Sequence, residues 1–368
     1  MKRELTNIQR WLHQCVRCGT CRSVCPVLDE VGWESASPRG RIMAMKGLQW
    51  GDLPAQEAKE SLNTCTTCGI CTASCPAGID PPMMVQFARR ELVSRGIASV
   101  EHRGLRENVS RSGNVLGESY RGWPDISPSL LADRAEYVYF AGCMASYRYP
   151  QTAARTIRLL SRFGVSMMPD EHCCGSPLLR TGFSAEDLIK ANLEQIKKLG
   201  AHTVITGCAG CYTTLKKDYP PGLRVLSVPE FLEERVPQLE IKPLDLKVTY
   251  HDPCHLGRAH KIYEQPRQVI EAVCQLREMK ENRESSRCCG GGGGVRAGYR
   301  DLSLRMARRR LEDVPQGIDY VVTSCPMCIR NLRDAGRESV IDLADLVAMA
   351  LKEDPVALED KNMPSINI

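Results

Sequence analysis

Ala201–Lys217 reads AHTVITGCAGCYTTLKK, and Ile318–Asp334 reads IDYVVTSCPMCIRNLRD. Each is a β-branched run, then Cys-x-x-Cys, then residues at helical spacing, the pattern of a strand turning directly into a helix. The matching extends outward. AEYVYFAGC (Ala135–Cys143) pairs with LKVTYHDPC (Leu246–Cys254), an extended segment running into a cysteine. EHCCGSP (Glu171–Pro177) pairs with RCCGGGGG (Arg287–Gly294), both carrying Cys-Cys-Gly. Cys143, Cys173, Cys174, Cys208 and Cys211 thus recur as Cys254, Cys288, Cys289, Cys325 and Cys328 at a near-constant offset, an internal repeat. Amphipathic stretches such as SAEDLIKANLEQIKKLG and QPRQVIEAVCQLREM lie between them. Strands alternating with helices imply parallel α/β units, and the spacing predicts two such domains, 134–236 and 237–352.

Eight cysteines precede the repeat, in CVRCGTCRSVCP (Cys15–Pro26) and CTTCGICTASCP (Cys65–Pro76). In the spacing C-x2-C-x2-C-x3-C-P, three close thiolates wrap three corners of a four-iron cubane and the fourth cysteine reaches the other cluster. One [4Fe-4S] cubane is therefore assigned Cys15, Cys18, Cys21 and Cys75, and the second Cys65, Cys68, Cys71 and Cys25. A pair of zinc sites is the competing reading, and the shared register of the two motifs argues against it. The insert after Cys25 contains SPRGRIMAMKGL, a Ser-Pro start followed by helix formers, and PPMMVQFARRELVSRG after the second motif is also helical. Residues 1–103 resemble the α-helical ferredoxin modules of multi-subunit oxidoreductases. Arg39 and Arg41 could steady a cluster's negative charge or simply be solvated at a helix start. Residues 104–133, rich in Gly, Ser and Pro, read as a linker over the surface, and 353–368 as a loose tail. The fold class is an α+β/α/β multidomain chain: a helical ferredoxin-like module, then two repeated α/β Cys-Cys-Gly domains.

Composition narrows the chemistry. The chain has 368 residues, 43% hydrophobic, with a formal charge of +5, a folded globular protein with no argument for nucleic acid. The dense basic run RMARRR (Arg305–Arg310) reads as the wet face of a helix or a contact between subunits. No stretch approaches the roughly 20 apolar residues of a membrane span, and the N-terminus lacks a secretory pattern. A cytoplasmic chain is expected, reaching the inner face of a membrane only through a partner. The nineteen cysteines are too many and too regular for scattered disulfides, so metal ligation is the better reading. Cys274 falls outside every pattern and reads as a buried hydrophobe within a helical segment.

Five cysteines per repeat exceed the corners of a cubane. Adjacent side chains of a Cys-Cys pair diverge in extended backbone, so the two sulfurs fit different irons of a larger cluster. The Cys-x-x-Cys pairs sit where a helix begins, and the positive helix end favours thiolate there. The glycines after Cys289, Gly291 and Gly292 among them, leave room for backbone N–H groups or a substrate to approach.

The order Cys…Cys-Cys-Gly…Cys-x-x-Cys, twice, behind a two-cubane module, resembles the D-type subunit of heterodisulfide reductase, which looks like a fusion of an electron-carrying C-type subunit with a catalytic B-type one. HDPCHLGR (His251–Arg258) and CCGGGGG also look like this branch. The resemblance covers about 15–352 and implies two noncubane [4Fe-4S] clusters. One would use Cys143, Cys173, Cys174, Cys208 and Cys211, the other Cys254, Cys288, Cys289, Cys325 and Cys328. It also implies reduction of a CoM-S-S-CoB-type heterodisulfide to two thiols in anaerobic, methanogenic metabolism, the two repeats facing each other across the substrate. Electrons would come from a redox partner, a flavin-containing A-type subunit or a membrane cytochrome b. His255 is the preferred proton donor and His172 its counterpart in the first repeat, because imidazole titrates near neutral pH; His251 reads as structural. Arg258, Lys261, Arg287 and Arg296 are candidates for the anionic groups of a small-molecule disulfide. No nucleotide fingerprint appears, so flavin or nicotinamide belongs to a partner. Two other readings compete: an iron–sulfur relay for a flavin-dependent dehydrogenase (glycolate, lactate or glycerol-3-phosphate type) or for a respiratory or sulfite-reduction complex, and a structural or sensory metal protein.

Overall fold

The computed structural model describes residues 4–118 and 130–352. Among the described residues up to 118 there is no strand; the regular elements are helices, joined by the loops that carry most of the cysteines. Helix Pro38–Trp50 starts where the Ser37 hydroxyl accepts from Gly40 N at 2.9 Å, and ends at Gly51 in the left-handed region. Asp80 caps helix Pro81–Ser94 by accepting from Met83 N at 3.1 Å. Leu12, Ile42, Met45, Leu62, Met84 and Ala88 close a core between these helices, as their three- and four-residue spacing requires.

The structure departs from the expected linker. Ser99 caps a helix at Val100–Ser112, its hydroxyl accepting from His102 N, and Gly113 terminates it. Only His102 and Val109 of this helix are buried, so its apolar stripe is too thin to show as a period. Of the rest of 104–133, residues 119–129 lie outside the described residues, as does the tail 353–368.

Each repeat is a four-stranded parallel sheet. The first holds β1 (Tyr137–Phe140), β2 (Val165–Met167), β3 (Thr203–Thr206) and β4 (Arg224–Ser227), in the order β2-β1-β3-β4. The second holds β5 (Lys247–Tyr250), β6 (Gln275–Leu276), β7 (Tyr320–Thr323) and β8 (Val340–Asp342), in the order β6-β5-β7-β8. Central strands with the sequences TVIT and YVVT are buried along almost their whole length, as parallel sheets covered on both faces require. Register pairs Tyr137 with Thr203 and Val248 with Tyr320. Strand order reverses between β1 and β3, and between β5 and β7, so each pair frames a switch point at its carboxyl ends, where open α/β sheets bind ligands.

The repeats do not fold as separate bodies. One core joins Val138, Val204 and Val225 to Val321, Leu332 and Val340, and another joins Tyr139, Ile205 and Phe231 to Val248, Val322 and Leu343. Helix Pro150–Ser161 packs on Leu343–Met349, and Val228–Glu233 packs on Glu264–Glu271. Exchanging the repeats exchanges these contacts, so the packing is pseudo-twofold, like an isologous dimer within one chain. Arg305 and Arg309, from the basic run, face Glu30 and Asp29 of the helical module, while Arg310 is wholly buried. That run is thus in part a solvated helix face, with Arg305 and Arg309 exposed beside the helical module, and in part buried at Arg310. Cys274 lies just past the helix Glu264–Glu271, in the turn before β6, half-buried rather than helical.

Candidate metal centres

The helical module presents two thiol groups of different exposure. Cys18 is exposed, and Cys15, Cys21 and Cys75 are half-buried. Gln14 donates to Ala77 O at 2.5 Å, which holds the Cys75 loop beside Cys15. Cys25 leaves its own motif and lines a cavity with Cys65, Cys68 and Cys71, closed by Pro38, Arg41, Ile70 and Val85. The thiols therefore group three plus one across the motifs. Arg39 donates to Glu34 Oε1 at 2.8 Å and Arg17 O at 3.2 Å, beside Cys15 and Cys21. Arg41, 1% exposed, donates to Ser61 O at 2.8 Å and Thr64 Oγ1 at 3.2 Å, and its charge opposes the rise that burial imposes on Cys25. Of the two readings left open for these arginines, proximity to the cysteines is the one the structure supports.

Ten of the eleven remaining cysteines, all but Cys274, form two nests at the switch points. Cys143 opens the helix after β1 and Cys208 caps the helix after β3; Cys325 caps the helix after β7. In the first nest sulfur contacts run from Cys143 to Cys173, Cys174, Cys211 and Cys208 in turn. In the second they run from Cys254 to Cys288, Cys289, Cys328 and Cys325, with Cys289 Sγ 3.3 Å from Cys328 Sγ. Gly142 permits the first nest to close, since a Cβ there would sit 2.9 Å from Cys211 Sγ. Two further contacts join the groups. Cys208 touches Cys325, a pair the repeat maps onto itself, so it lies on the pseudo-twofold axis. Cys68 of the helical module touches Cys288.

The donor chemistry fits a multi-iron group. All nineteen cysteines are free thiols. Contacts with neighbouring sulfurs, and then burial, push Cys173, Cys211, Cys288 and Cys328 well above the ordinary thiol range. So many crowded, desolvated thiols can ionise together only against positive charge at their centre. Buried Arg258 Nη2, within electrostatic reach of Cys68, Cys254 and Cys288, has no partner among the described residues.

The expected substrate ligands are otherwise engaged. Arg258 donates from Nε to Cys68 O at 3.0 Å and from Nη1 to Glu284 O and Ser286 O, clamping the helical module to the second repeat. Lys261 pairs with Glu284 at the surface, Arg287 lies 4.0 Å from Asp313, and Arg296 binds Asn331 and Asp334. A Cβ on Gly291 would meet Met327, on Gly292 Thr66 O at 2.9 Å, and on Gly293 Cys65 O at 2.4 Å. At Gly292 and Gly293 the bare run lets the Cys65–Thr66 backbone lie against it, and Gly290 and Gly294 are filled against Ser303 O and against Thr181 and His102. His255 Nε2 faces Arg180 Nη1 at 3.1 Å, so that nitrogen accepts. Burial, and then Arg180, holds the imidazole well below its ordinary value, which runs against a proton-donor role. His172 engages Asp170 O through Nδ1 at 3.0 Å at an exposed position and packs its ring by Gly113.

Sequence reasoning missed Arg89, Arg180 and His102. Arg89, on helix Pro81–Ser94, donates to Leu62 O, Cys65 O, Arg180 O and Gly293 O at 2.6–3.1 Å, reaching all three domains. Its signal was available: Arg89 falls on the apolar stripe Val85, Ala88, Leu92, where a solvated arginine does not belong.

Fold and site together define an iron–sulfur protein with a dicluster module ahead of two cysteine-rich domains. The cysteine-rich domain family matches residues 137–216 and again 248–333, and the 4Fe-4S dicluster domain family matches 11–79. The chain is 36% identical to the D-type subunit of dihydromethanophenazine:CoB–CoM heterodisulfide reductase from Methanosarcina acetivorans, over 95% of this chain and 96% of that one. It is 32% identical to the B-type subunit of fumarate reductase (CoM/CoB) from Methanothermobacter marburgensis, over 93% and 73%. A hypothetical protein from Helicobacter pylori shares the fold, with a TM-score of 0.58 at 12% identity, covering 95% of this chain and 76% of that one. The chain belongs to the family of heterodisulfide reductase D-type subunits, as the cysteine order implied. Its relatives are iron–sulfur subunits of oxidoreductases, which assigns it a redox role. Among the described residues no helix is long and apolar enough to cross a membrane.

Proposed function

We propose that this chain reduces a heterodisulfide of the CoM-S-S-CoB type to two thiols. The observation that carries the reading is the meeting of two complete five-cysteine nests at Cys208 and Cys325, with the second reached from the helical module through Cys68 and Cys288. Cys15, Cys18, Cys21 and Cys75 would hold one cubane at the exposed end, where a partner protein with flavin or a cytochrome b can deliver electrons. Cys25, Cys65, Cys68 and Cys71 would hold the second, and the two nests a noncubane cluster each. Bound there, the clusters supply single electrons and iron sites open to thiolate sulfur. The chain contributes the order of the sites, the exclusion of water by Arg89, Arg258 and the glycine run, and two repeats that offer one sulfur-receiving side each. Arg180, held by Ser176 Oγ at 2.7 Å and His255 Nε2 at 3.1 Å and within electrostatic reach of Cys174, Cys208 and Cys254, would add positive charge between the nests that favours an anionic substrate.

The test is anaerobic purification with iron and sulfide counts, then EPR with and without a thiol. About sixteen irons are expected from four four-iron clusters; about eight would mean that only the helical module is metallated. Cys174→Ser or Cys289→Ser should abolish disulfide reduction and leave both cubane signals. A relay for a flavin-dependent dehydrogenase would show the same iron content with no disulfide reduction in the unaltered chain.

A further inference from the structure

The two nests have matching cysteines but unlike surroundings. Three residues before the first cysteine of each repeat stands Phe140 in one and His251 in the other. Both are buried at the end of a central strand. A ring nitrogen of His251 and the sulfurs of Cys289 and Cys328 all lie within 4.8 Å of one another. On the ring's other side Arg310, 0% exposed, donates Nε–H to His251 Nδ1 at 3.0 Å. Arg310 is itself fixed by Glu281 O at 2.6 Å and Asp313 Oδ2 at 2.8 Å.

A guanidinium only donates, so Nδ1 must be the acceptor and the neutral ring carries its proton on Nε2. A buried N–H needs an acceptor, and the Cys289 and Cys328 sulfurs, within 4.8 Å of a ring nitrogen, are the neighbouring candidates; the ring also holds down the Cys289 thiol, which singles out Cys289. The arrangement repeats the logic of a ligand oriented from outside, where a second group sets which ring nitrogen faces the metal site.

We propose that Arg310 locks His251 as an Nε2–H donor to the Cys289 sulfur, so that the second nest carries a hydrogen bond absent from the first and its cluster's reduction potential is set by this pair. A donor to a ligand sulfur withdraws charge from it and stabilises the reduced state, which raises the potential. The inference rests on the iron–sulfur reading of the nests and is independent of which substrate they serve.

The experiment uses the full chain, purified anaerobically with its clusters and with 15N-labelled histidine. Pulsed EPR of the reduced protein should show one histidine 15N coupling, lost in His251→Phe, which copies the residue at the matching place in the first repeat. Redox titration of that variant should move one midpoint downward and leave the others in place. A coupling that survives the substitution, or midpoints that do not move, overturns the proposal. Should His251→Phe fail to retain its iron, Arg310→Met carries the test: the histidine remains, the lock on Nδ1 is gone, and the same midpoint must fall. His251→Gln, which keeps a donor of similar reach, should restore most of the shift; a loss as large as in the phenylalanine variant counts against it. Absence of disulfide reduction in the unaltered chain would sink the proposed function and leave these potentials fully readable.

Discussion

Arg89 places its hydrogen bonds entirely on main-chain carbonyls of three domains and is 1% exposed. Burial pulls its guanidinium down to about 10, still charged at neutral pH. Arg89→Met would take the partner from the Cys65, Arg180 and Gly293 carbonyls, while Leu62 O still accepts from Cys65 N; at roughly 1–3 kcal/mol each, a loss above about 3 kcal/mol is expected in denaturant unfolding. Arg89→Lys should recover only part of it, since a single ammonium cannot span the same fork. His102 is the second residue of this kind, its Nε2 at 3.0 Å from Gly294 O. Burial, and then Arg89, lowers it from the ordinary 6.5 to about 4, against the opposing effects of its bond to Gly294 O and of Glu101. The unfolded chain therefore binds a proton that the folded chain refuses between those values. This contribution to stability is complete above pH 6.5 and declines as the pH falls toward 4, by roughly 3 kcal/mol over the window. His102→Gln, which can still donate to Gly294 O, should flatten the fall in thermal stability across that range. An unaltered slope would assign the dependence to other groups.

At the scale of elements, the decisive contact is between the glycine run and the second cubane loop. Gly293 has a positive φ and lies so close to Cys65 O that an added Cβ would stand 2.4 Å away. Gly293→Ala is expected to separate the helical module from the second repeat. The result would be faster limited proteolysis between the two and slower reduction of the nests by a donor that still reduces the cubanes. Gly32→Ala is the comparison: its φ is also positive, but nothing lies within 4 Å of the added carbon. That change should cost only the conformational penalty of about 1–2 kcal/mol and leave electron transfer intact. The pairs from Arg305 and Arg309 to Glu30 and Asp29 brace the same junction at 3.5–4.0 Å, half-exposed. Such pairs are worth little singly, so the junction depends on buried backbone contacts and on Arg89 and Arg258.

Across the whole molecule, both α/β cores draw side chains from both repeats. A chain ending at 236 would expose half of each core to water. It should fail to fold, read as loss of the cooperative melt and as precipitation, even though every ligand cysteine of the first nest is present. An independently melting, soluble fragment would show that the first repeat is a domain in its own right. The same arrangement orders the sites, with the exposed Cys18 loop at one end and the first nest at the other, joined through Cys68–Cys288 and Cys208–Cys325. The two cubane groups share their motifs, but neither nest is joined to the helical module or to the other nest by a short stretch of chain, so the place of the nests in this order could emerge only from packing.

The amino-acid sequence by itself determined what is local: the strand-to-helix turns that carry Cys-x-x-Cys, the twofold repetition, the helical module and the family. Those features rest on periodicity, capping and spacing, which act over a few residues. The three-plus-one grouping of Cys25 was legible too, because the motif's spacing leaves its fourth thiol out of reach of its own three. The duties of the arginines and glycines were not. Arg258, Lys261, Arg287 and Arg296 looked available because an arginine's partners are carbonyls and carboxylates anywhere along the chain, unmarked in its own neighbourhood. The bare run Gly290–Gly294 looked like an opening because a missing side chain says only that something comes close. Tertiary structure decided what comes close, the Cys65–Thr66 backbone at Gly292 and Gly293 and Ser303, Met327, Thr181 and His102 at the others, since only packing brings distant groups within hydrogen-bond and van der Waals range.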